Sequence, residues 1–501
     1  MTAQGSTLER LGTGSAALDA ILGGGIPAAS VTVIAGEPGA GKTVFALQML
    51  FHHARQGKKC LYFTTLSEPP LKVMRYMQLF SFFDARLIEE RVIFADLGSV
   101  LRKDGVDQAL AHMIQRVESE EPAFVAVDSF KALHDLLAGT VQRRAFVYDL
   151  AVSMAAWGTT TLLIGEYSSE DISVAPEFAI ADGIVRLTTE RQELTTARQL
   201  EIVKMRGANY VTGRHFFDMG VDGLTFYPRV RGPEMNGEPP VDLADRVATG
   251  VAGLDALLSG GLPRASATMV QGGTGTGKTL MGLHFLLEGA RRGEPGILFT
   301  LEETPAQIRA VASNFGWKLA PLEAQGRLLI SYTSPVELVT DRFLDHARRQ
   351  IEKIGARHAV LDSLTSMSLG VPSPRRFREL VYALTKHFRA VGVTPVMTME
   401  VAQLLGTAQL TGHGVSSTAD NLILLRYVEM QGQLERAVAV LKARGTSHIT
   451  ELRHFRIDRR GAHVGEQFAD LRGVLTGVPQ PWGAPKPAAS ARSSGRSPRR
   501  R

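Results

Sequence analysis

The sequence predicts an α/β fold made of two tandem domains, each built on a mostly parallel sheet. Apolar strand-like runs alternate with segments of helical spacing, which is the pattern of a parallel sheet covered by helices on both faces. Short motifs of the first half also recur in the second half at an offset of 236 residues, as Thr249 does for Thr13. A repeat of this length indicates a duplicated domain rather than a short solenoid unit.

The predicted strands are short apolar runs, and a segment of helical spacing, residues 43–54, follows the first of them. In the first half the runs are residues 31–35, 60–64, 124–127 and 160–164. In the second half they are residues 267–270, 297–300, 358–361 and 395–399. Ligands of such sheets bind at the carboxyl ends of the strands, so we expect the functional residues there.

The repeat and the composition between its copies predict the domain boundaries. Thr13-Gly14 and Gly24-Gly25-Ile26-Pro27 reappear as Thr249-Gly250 and Gly260-Gly261-Leu262-Pro263. Residues 228–240 are rich in proline, glycine and charge, as linkers are. We therefore predict a first domain at residues 1–232, a linker at 233–245, a second domain at 246–478 and a basic, disordered tail at 479–501.

The overall composition is that of an ordinary globular protein, with 44% apolar and 21% charged residues among 501. No apolar run approaches the roughly 18 residues of a membrane span, and the polar start lacks the apolar core of a signal peptide. We therefore expect a cytoplasmic protein without a membrane partner. Cys60 is the only cysteine, which excludes internal disulfides and cysteine metal clusters, and its apolar surroundings predict a buried strand residue.

The net charge of +6 belongs to the tail, whose six basic residues are Lys486, Arg492, Arg496, Arg499, Arg500 and Arg501. Without those six, 50 basic residues face 50 acidic ones, so the folded part is neutral. This balance argues against a nucleic-acid partner. The tail itself is either a solvated segment or a weak, salt-sensitive anchor for an acidic partner.

A phosphate-binding motif, G-x-x-x-x-G-K-[ST], occurs once in each half of the chain. In this motif the glycine backbone surrounds the phosphates, the lysine adds a positive charge, and the hydroxyl residue can hold Mg²⁺. Its defining residues are Gly36, Gly39, Gly41, Lys42 and Thr43 in the first copy and Gly272, Gly275, Gly277, Lys278 and Thr279 in the second. The sequence thus predicts two nucleotide sites.

An aspartate ends the third predicted strand of each copy, at Asp128 and at Asp362. A carboxylate at the tip of a buried strand beside a phosphate loop can organise Mg²⁺ through its water shell. Many strands also end in aspartate as a turn or cap. The repetition at matching positions favours the Mg²⁺ role, shared with Thr43 and Thr279.

The second strand of the second copy is followed by Glu302 and Glu303. A carboxylate there can accept the proton of a water or hydroxyl that attacks the γ-phosphorus. We assign this role to Glu302, while Glu303 can instead cap the helix opened by Thr304-Pro305. In the first copy Ser67 takes the place of Glu302, so we expect slow hydrolysis there unless Glu68 substitutes.

A Lys-x-Arg-Gly motif closes each copy, with Lys204 and Arg206 in the first and Lys442 and Arg444 in the second. On a strand, residues two apart share a face. The motif is either an ordinary exposed strand face or a pair of cations donated to a neighbouring subunit's phosphates. Its repetition in the same frame favours the second interpretation.

Together the entry motif T-G-x-x-x-L-D, the two glycine-rich loops, the Glu-Glu-Thr-Pro element, the Asp-Ser strand ends and Lys-x-Arg-Gly resemble the KaiC family of clock ATPases and autokinases. The similarity runs over both halves, from about residue 8 to 479. It implies two RecA-like P-loop NTPase domains per subunit, a double-ring hexamer, and ATP with Mg²⁺ held between neighbouring subunits. It also implies protein partners of a signalling or clock type.

The resemblance further implies phosphorylation of a hydroxyl pair in the second domain, and Ser416 and Ser417 fall on the two acceptor positions. The matching stretch of the first copy, residues 177–182, contains no hydroxyl side chain. The leading hypothesis is therefore an ATPase and serine/threonine autokinase that acts as an oligomeric switch. The alternatives are a RecA-like DNA-acting motor or recombinase, and a non-catalytic sensor that only assembles on ATP.

Overall fold

A computed structural model gives the structure of the chain, in which two compact units comprise Met1–Arg229 and Val230–Arg501. The described residues are 9–66, 68–137, 139–192, 195–230, 242–371, 373–401, 414–415, 417–430, 432–468, 471–472 and 480–481. Most of the predicted linker, residues 233–241, lies outside them, as do residues 482–501 of the predicted tail. The extent of the linker and the start of the disordered tail therefore stay predictions.

The first unit contains a large mixed sheet and a separate short ribbon. Its described strands are β1 (Arg10–Leu11), β2 (Ile26–Pro27), β3 (Val31–Gly36), β4 (Cys60–Thr64), β5 (Val92–Asp96), β6 (Phe124–Asp128), β7 (Thr160–Glu166), β8 (Gly183–Gln192), β9 (Thr195–Met205), β10 (Arg214–Gly220) and β11 (Gly223–Tyr227). The sheet order is β11-β10-β9-β8-β3-β7-β6-β4-β5. The strands from β8 to β5 run parallel, and β8 to β11 form an antiparallel meander.

The second unit repeats this large sheet and its short ribbon and adds a second short ribbon, formed by its last two described strands. Its described strands are β12 (Arg246–Val247), β13 (Leu262–Pro263), β14 (Thr268–Gly272), β15 (Gly296–Thr300), β16 (Leu328–Tyr332), β17 (His358–Asp362), β18 (Thr394–Glu400), β19 (Asn421–Met430), β20 (Gln433–Ala443), β21 (Arg453–Asp458), β22 (Gly461–Gln467), β23 (Leu471–Arg472) and β24 (Gln480–Pro481). The large sheet has the order β16-β15-β17-β18-β14-β19-β20-β21-β22. Read in reverse, it has the topology of the first sheet, so the predicted duplication extends to the fold.

Helices connect the parallel strands in both units. The described helices of the first unit are α1 (Ala16–Leu22), α2 (Lys42–Arg55), α3 (Pro70–Met77), α4 (Leu97–Glu120), α5 (Phe130–Asp135), α6 (Thr140–Trp157), α7 (Asp171–Val174) and α8 (Pro176–Ile180), with a 3-10 turn at Ala85–Leu87. Those of the second are α9 (Leu254–Leu257), α10 (Lys278–Arg291), α11 (Pro305–Asn314), α12 (Leu319–Ala324), α13 (Thr340–Ile354), α14 (Leu364–Leu369) and α15 (Pro374–Ala390), with a 3-10 turn at Pro335–Glu337.

The predicted fold class is confirmed: each unit is an α/β domain whose central strands are parallel. Every predicted strand is present, with ends that differ from the prediction by one or two residues at most. Cys60 is fully buried in β4, as expected, and burial raises the pKa of its thiol to about 12. The edge strands β5 and β16 and the two meanders are absent from the sequence prediction.

Apolar side chains fill both faces of each sheet, because successive strand residues point to opposite sides. In β3, Ile34 packs on the side of α2, whereas Val33 packs on the side of α5 and α6. In β14, Val270 packs with α10 and Met269 with α13 and α15. Each fully buried large apolar side chain contributes about 1.5–3 kcal/mol, so the two-faced cores fix the strand ends on which the site depends.

A buried histidine, His53 in α2, supports the first core. Its ring stacks on Phe124 with 4.4 Å between ring centroids, and Nε2 lies 2.8 Å from the carbonyl oxygen of Gly12. Burial lowers the pKa of His53 from its ordinary 6.5 to about 4. The folded state therefore holds this imidazole neutral over a range in which the unfolded chain would protonate it.

We predict that the first unit loses stability as the pH falls from 6.5 towards 4. Between those values the unfolded chain binds more protons at His53 than the folded chain, so the free energy of unfolding decreases with falling pH. Urea midpoints at about pH 7 and about pH 5 measure the effect, and His53→Gln should shrink their difference. The half-exposed His112 offers the control, and an equal pH response in His53→Gln and His112→Gln would contradict the prediction.

Candidate functional site

Both phosphate loops lie at the carboxyl ends of central strands, where the first joins β3 to α2 and the second joins β14 to α10. Gly41 and Gly277 precede the helices with φ of 94° and 103°, a conformation that disfavours any residue with a Cβ. Among the described residues, no side chain caps the amino terminus of either helix. The first-turn N–H groups can therefore bind an anion, to which the helix dipole adds.

The two loop lysines bend back over their own loops. Lys42 Nζ donates to the carbonyl oxygens of Gly36 at 3.0 Å and Glu37 at 2.8 Å. Lys278 Nζ donates to the carbonyl oxygen of Gly273 at 2.8 Å. Burial lowers the pKa of both ammonium groups, and neighbouring carboxylates oppose this shift. A phosphate is a stronger acceptor than a carbonyl oxygen, so each lysine is positioned to exchange loop contacts for phosphate contacts.

The predicted Mg²⁺ residues meet in both units. Thr43 Oγ1 donates to Asp128 Oδ2 at 2.7 Å, and Thr279 Oγ1 donates to Asp362 Oδ2 at 2.6 Å. Burial is the largest influence on both carboxylates and raises their pKa, while the threonine hydrogen bonds act in the opposite direction. A hydroxyl beside a carboxylate is an all-oxygen donor set, which fits Mg²⁺.

Further residues around these carboxylates escaped the sequence prediction. Tyr62 OH donates to Asp128 Oδ2 at 2.6 Å, and Thr398 Oγ1 donates to Asp362 Oδ1. Glu166 and Glu400 end β7 and β18. Burial lowers the pKa of each loop lysine, and Glu166 for Lys42 and Glu400 for Lys278 are the carboxylates that most strongly raise it again. A carboxylate at the same strand end in both copies was the signal that could have found this pair.

The first unit has a cavity of about 630 Å³ over its phosphate loop. Its lining includes residues of the loop and charged side chains from three other segments: Lys42, Thr43, Glu68, Asp128, Lys131 and Glu166. Small-molecule sites commonly occupy about 300–1,000 Å³, so the volume suits a nucleotide. Lys131 is an additional cation there, and its Nζ lies 3.3 Å from Asp171 Oδ2.

The carboxylates of the second unit lie close together but differ in their contacts. Glu302 Oε1 accepts hydrogen bonds from Ser363 Oγ at 2.7 Å and from Ser366 Oγ. Glu303 Oε2 is buried without a hydrogen-bond partner among the described residues. Burial is the main cause that raises the pKa of Glu303, and the negative charges of Asp362 and Glu302 raise it further. The assignment of either carboxylate as the base stays a prediction.

The alternative role for Glu303, as the cap of the next helix, is wrong. Thr304 is the N-cap residue of α11, and its side chain and that of Gln307 form a reciprocal capping box, with Pro305 at the first helical position. A threonine hydroxyl and a glutamine amide already serve the free amide groups at this end. One oxygen of the Glu303 carboxylate is thus buried beside Asp362 and Glu302 without a capping function.

The corresponding connection of the first unit is one residue longer, with residues 65–69 between β4 and α3 against residues 301–304 between β15 and α11. Counted from the strand, Leu66 takes the place of Glu302, whereas counted from the helix, Ser67 does. Ser67 itself lies outside the described residues. Glu68 lines the cavity but pairs with Lys72 Nζ at 2.8 Å, and its catalytic role stays a prediction.

The Lys-x-Arg-Gly cations lie far from the phosphate loop of their own unit. Lys204 pairs across the sheet with Ile184, near the amino-terminal ends of the parallel strands, and its Nζ approaches the carbonyl oxygen of Ala179 at 3.4 Å. Lys442 Nζ donates to the carbonyl oxygen of Ala419 at 2.6 Å. Each strand ends one residue before the arginine, so the expectation that both cations lie on one strand is wrong for Arg206 and Arg444.

The predicted phosphoacceptor segment lies at that same end of the second sheet. Ser416 is outside the described residues. Ser417 is exposed, and its carbonyl oxygen accepts from Arg444 Nη2 at 3.5 Å. Asp420 fixes the segment by accepting from Arg389 Nη2 at 2.6 Å and from the backbone N–H of Ala267 at 3.0 Å. The segment and the cations therefore form one cluster, separate from the phosphate loop.

Comparison with known proteins agrees with this geometry over both units. The sequence model of the family described as "ATPase: KaiC" matches residues 11–231 and 247–469. The chain belongs to the KaiC ATPase family. KaiC relatives include circadian clock protein KaiC3 of Synechocystis sp., 29% identical with 94% of this chain and 95% of that protein covered. The KaiC clock oscillator protein of Prochlorococcus marinus is 28% identical over the same shares of the two chains.

Each of the two KaiC repeats contains one complete phosphate loop, so this KaiC-like ATPase has two sites built for ATP. Within the described part of the chain, no helix has the length and apolar character needed to cross a membrane. The KaiC family assignment confirms the resemblance that the motifs indicated.

We predict that Gly36→Ala and Gly272→Ala each weaken ATP binding at one of the two sites. An alanine Cβ at Gly272 would lie 2.6 Å from the carbonyl oxygen of Leu425, and one at Gly36 would overlap the carbonyl oxygen of Leu187. The loop must shift in both cases, and we expect about tenfold weaker binding or more at the altered site. Equilibrium titration with labelled ATP measures the number of sites per chain. Gly220→Ala is the control, because nothing lies within 4 Å of its Cβ position.

Proposed function

We propose that this KaiC-like ATPase is also a serine/threonine autokinase and acts as an oligomeric switch of the signalling or clock type. The observation that carries the proposal is the asymmetry of the two sites. Glu302 and Glu303 lie beside the Thr279–Asp362 pair in the second unit, whereas Leu66 or Ser67 takes the place of Glu302 in the first. The clock functions in the names of its relatives support the same type of role.

In the proposed reaction the second unit binds ATP through its loop amides and Lys278. Thr279 and, through water, Asp362 would hold Mg²⁺, which would neutralise charge on the phosphates. Glu302 accepts the hydroxyl proton of Ser416 or Ser417 as the serine oxygen attacks the γ-phosphorus. The bond between the γ-phosphorus and the bridging oxygen breaks, so phosphoserine and ADP are the products.

We infer that phosphate transfer occurs between copies of the chain. Ser417 precedes β19, which begins opposite Thr268, whereas the phosphate loop leaves β14 beyond Gly272, opposite Leu425. Four residues of strand separate the two levels, which is about 13 Å of rise. We therefore propose a homo-oligomer, a hexamer of the KaiC type, in which ATP lies at the interfaces. There Lys442 and Arg444 of one copy, like Lys204 and Arg206, approach the phosphates of the next.

The first unit serves chiefly to hold ATP in this proposal. Its cavity contains the loop, the Thr43–Asp128 pair and the additional cation Lys131, which all favour bound phosphate. Hydrolysis there is slow because the position of Glu302 lacks a carboxylate, and Glu68 is engaged by Lys72. We also propose that the protein acts in the cytoplasm with protein partners of the signalling or clock type.

The first test of the autokinase is the double variant Ser416→Ala/Ser417→Ala. We expect it to bind and hydrolyse ATP but to incorporate no labelled phosphate, since both acceptor hydroxyls are removed. Phosphopeptide mass spectrometry on the wild-type chain incubated with Mg·ATP identifies the modified residues directly. The matched control is Thr418→Ala, which removes the neighbouring hydroxyl. Label retained in the double variant would refute the acceptor assignment.

The base is tested with Glu302→Gln, which keeps the size of the side chain but cannot accept a proton. We expect phosphorylation to disappear and most ATP turnover with it, since general-base catalysis commonly contributes about 10²–10⁴-fold. ATP binding should persist. Phosphorylation at the wild-type rate would exclude Glu302 as the base.

The same variant tests transfer between copies. Glu302→Gln has intact acceptors, and the Ser416→Ala/Ser417→Ala chain has an intact base. When the two are mixed under conditions of subunit exchange, labelled phosphate should appear on the Glu302→Gln chain. A mixture that stays unlabelled although mixed oligomers form would contradict transfer between copies.

A further inference from the structure

We propose that Ser366 is a positioning residue of the autokinase, which orients the Glu302 carboxylate through a hydrogen bond. The inference rests on the proposed function, because it concerns the base of that reaction. Ser366 lies in α14, one turn beyond Asp362, and belongs neither to the sequence motifs nor to the Thr279–Asp362 pair. Its hydroxyl nevertheless contacts the side chain on which the proposed chemistry depends.

The contact joins a buried hydroxyl to an exposed acid. Ser366 is 6% exposed, and its Oγ donates to Glu302 Oε1. Ser363 Oγ donates to the same oxygen at 2.7 Å and accepts from the backbone N–H of Ser366 at 3.2 Å. Ser363 is thus held as the N-cap of α14, and the two hydroxyls form a fixed cradle for one oxygen of the carboxylate.

The cradle restrains a side chain that would otherwise move freely. Glu302 belongs to the short connection between β15 and α11 and is exposed, so its side chain has several rotamers of similar energy. Two donors on Oε1 select one of them and leave Oε2 outside the cradle to accept a proton. A base held in one orientation reacts faster than a mobile one, because the entropy of alignment is lost before the reaction begins.

The first unit provides an internal comparison. Asp128 is followed by Ser129 as Asp362 is by Ser363, but Ala132 occupies the position that corresponds to Ser366. The same unit has Leu66 or Ser67 in the place of Glu302. The serine that caps the helix therefore occurs in both copies, whereas the second hydroxyl occurs only in the copy that has the carboxylate. A purely structural role in the helix would give no reason for this association.

The decisive variant is Ser366→Ala, which introduces the residue of the first copy and keeps the N–H that Ser363 caps. We expect the rate of autophosphorylation at saturating ATP to fall about tenfold, while the KM for ATP and the thermal unfolding midpoint stay unchanged. Ser366→Thr, which retains the hydroxyl, should restore most of the rate. Ser368→Ala is the control, because Ser368 lies in the same helix and its hydroxyl donates to the carbonyl oxygen of Thr365 instead.

The outcomes separate this inference from the proposed function. If Glu302→Gln is inactive but Ser366→Ala phosphorylates at the wild-type rate, the base assignment stands and the role of Ser366 is refuted. A loss in Ser366→Ala accompanied by an altered KM or a lower unfolding midpoint, or a loss that Ser366→Thr fails to recover, also refutes it. If Glu302→Gln retains full activity, the proposed function loses its base, which is a separate failure.

Discussion

The hydrogen bond between the loop threonine and the strand-end aspartate is the interaction on which both sites depend. Asp128 and Asp362 are carboxylates at the ends of buried strands, and burying such a charge is costly unless it is paired or hydrogen-bonded. Thr43 and Thr279 supply part of that compensation. In doing so they fasten the first turn of α2 and α10 to the centre of the sheet, so the loop amides and the threonine–aspartate pair share one fixed geometry.

The sequence predicted those parts of the fold and site whose signals are local. Central strands are continuous apolar runs, and a phosphate loop needs glycine, lysine and threonine at fixed spacing, so Thr43 and Asp128, which were predicted to share a site, do lie within hydrogen-bond distance. Tyr62 and Thr398 were missed because each supports its aspartate from another strand, and nothing in their own surroundings indicates this. The meanders were missed because their strands are half-polar and adjoin turns, and Arg206 and Arg444 fall just beyond a strand end that periodicity cannot locate.

The two copies of this KaiC-family chain share one scaffold and differ in residues around their phosphate loops. The strand order and the Thr–Asp pair are the same in both units, because a change in either would disrupt the core or leave a charge uncompensated. The connection after β4 is one residue longer than that after β15, and the helix after Asp128 has Lys131 and Ala132 where the helix after Asp362 has Thr365 and Ser366. Surface connections and first helical turns tolerate such changes, so the two sites could diverge without loss of the fold.

In the proposed autokinase, the Ser417 segment and the phosphate loop lie at opposite ends of the strands and give the second unit a direction, with one end that receives phosphate and one that donates it. Contacts between unlike ends are heterologous, and they build either an open row or a closed ring. An open row always leaves one nucleotide without a recipient and one recipient without a nucleotide. A closed ring leaves neither, so closure itself equalises the copies, and none of them is first or last.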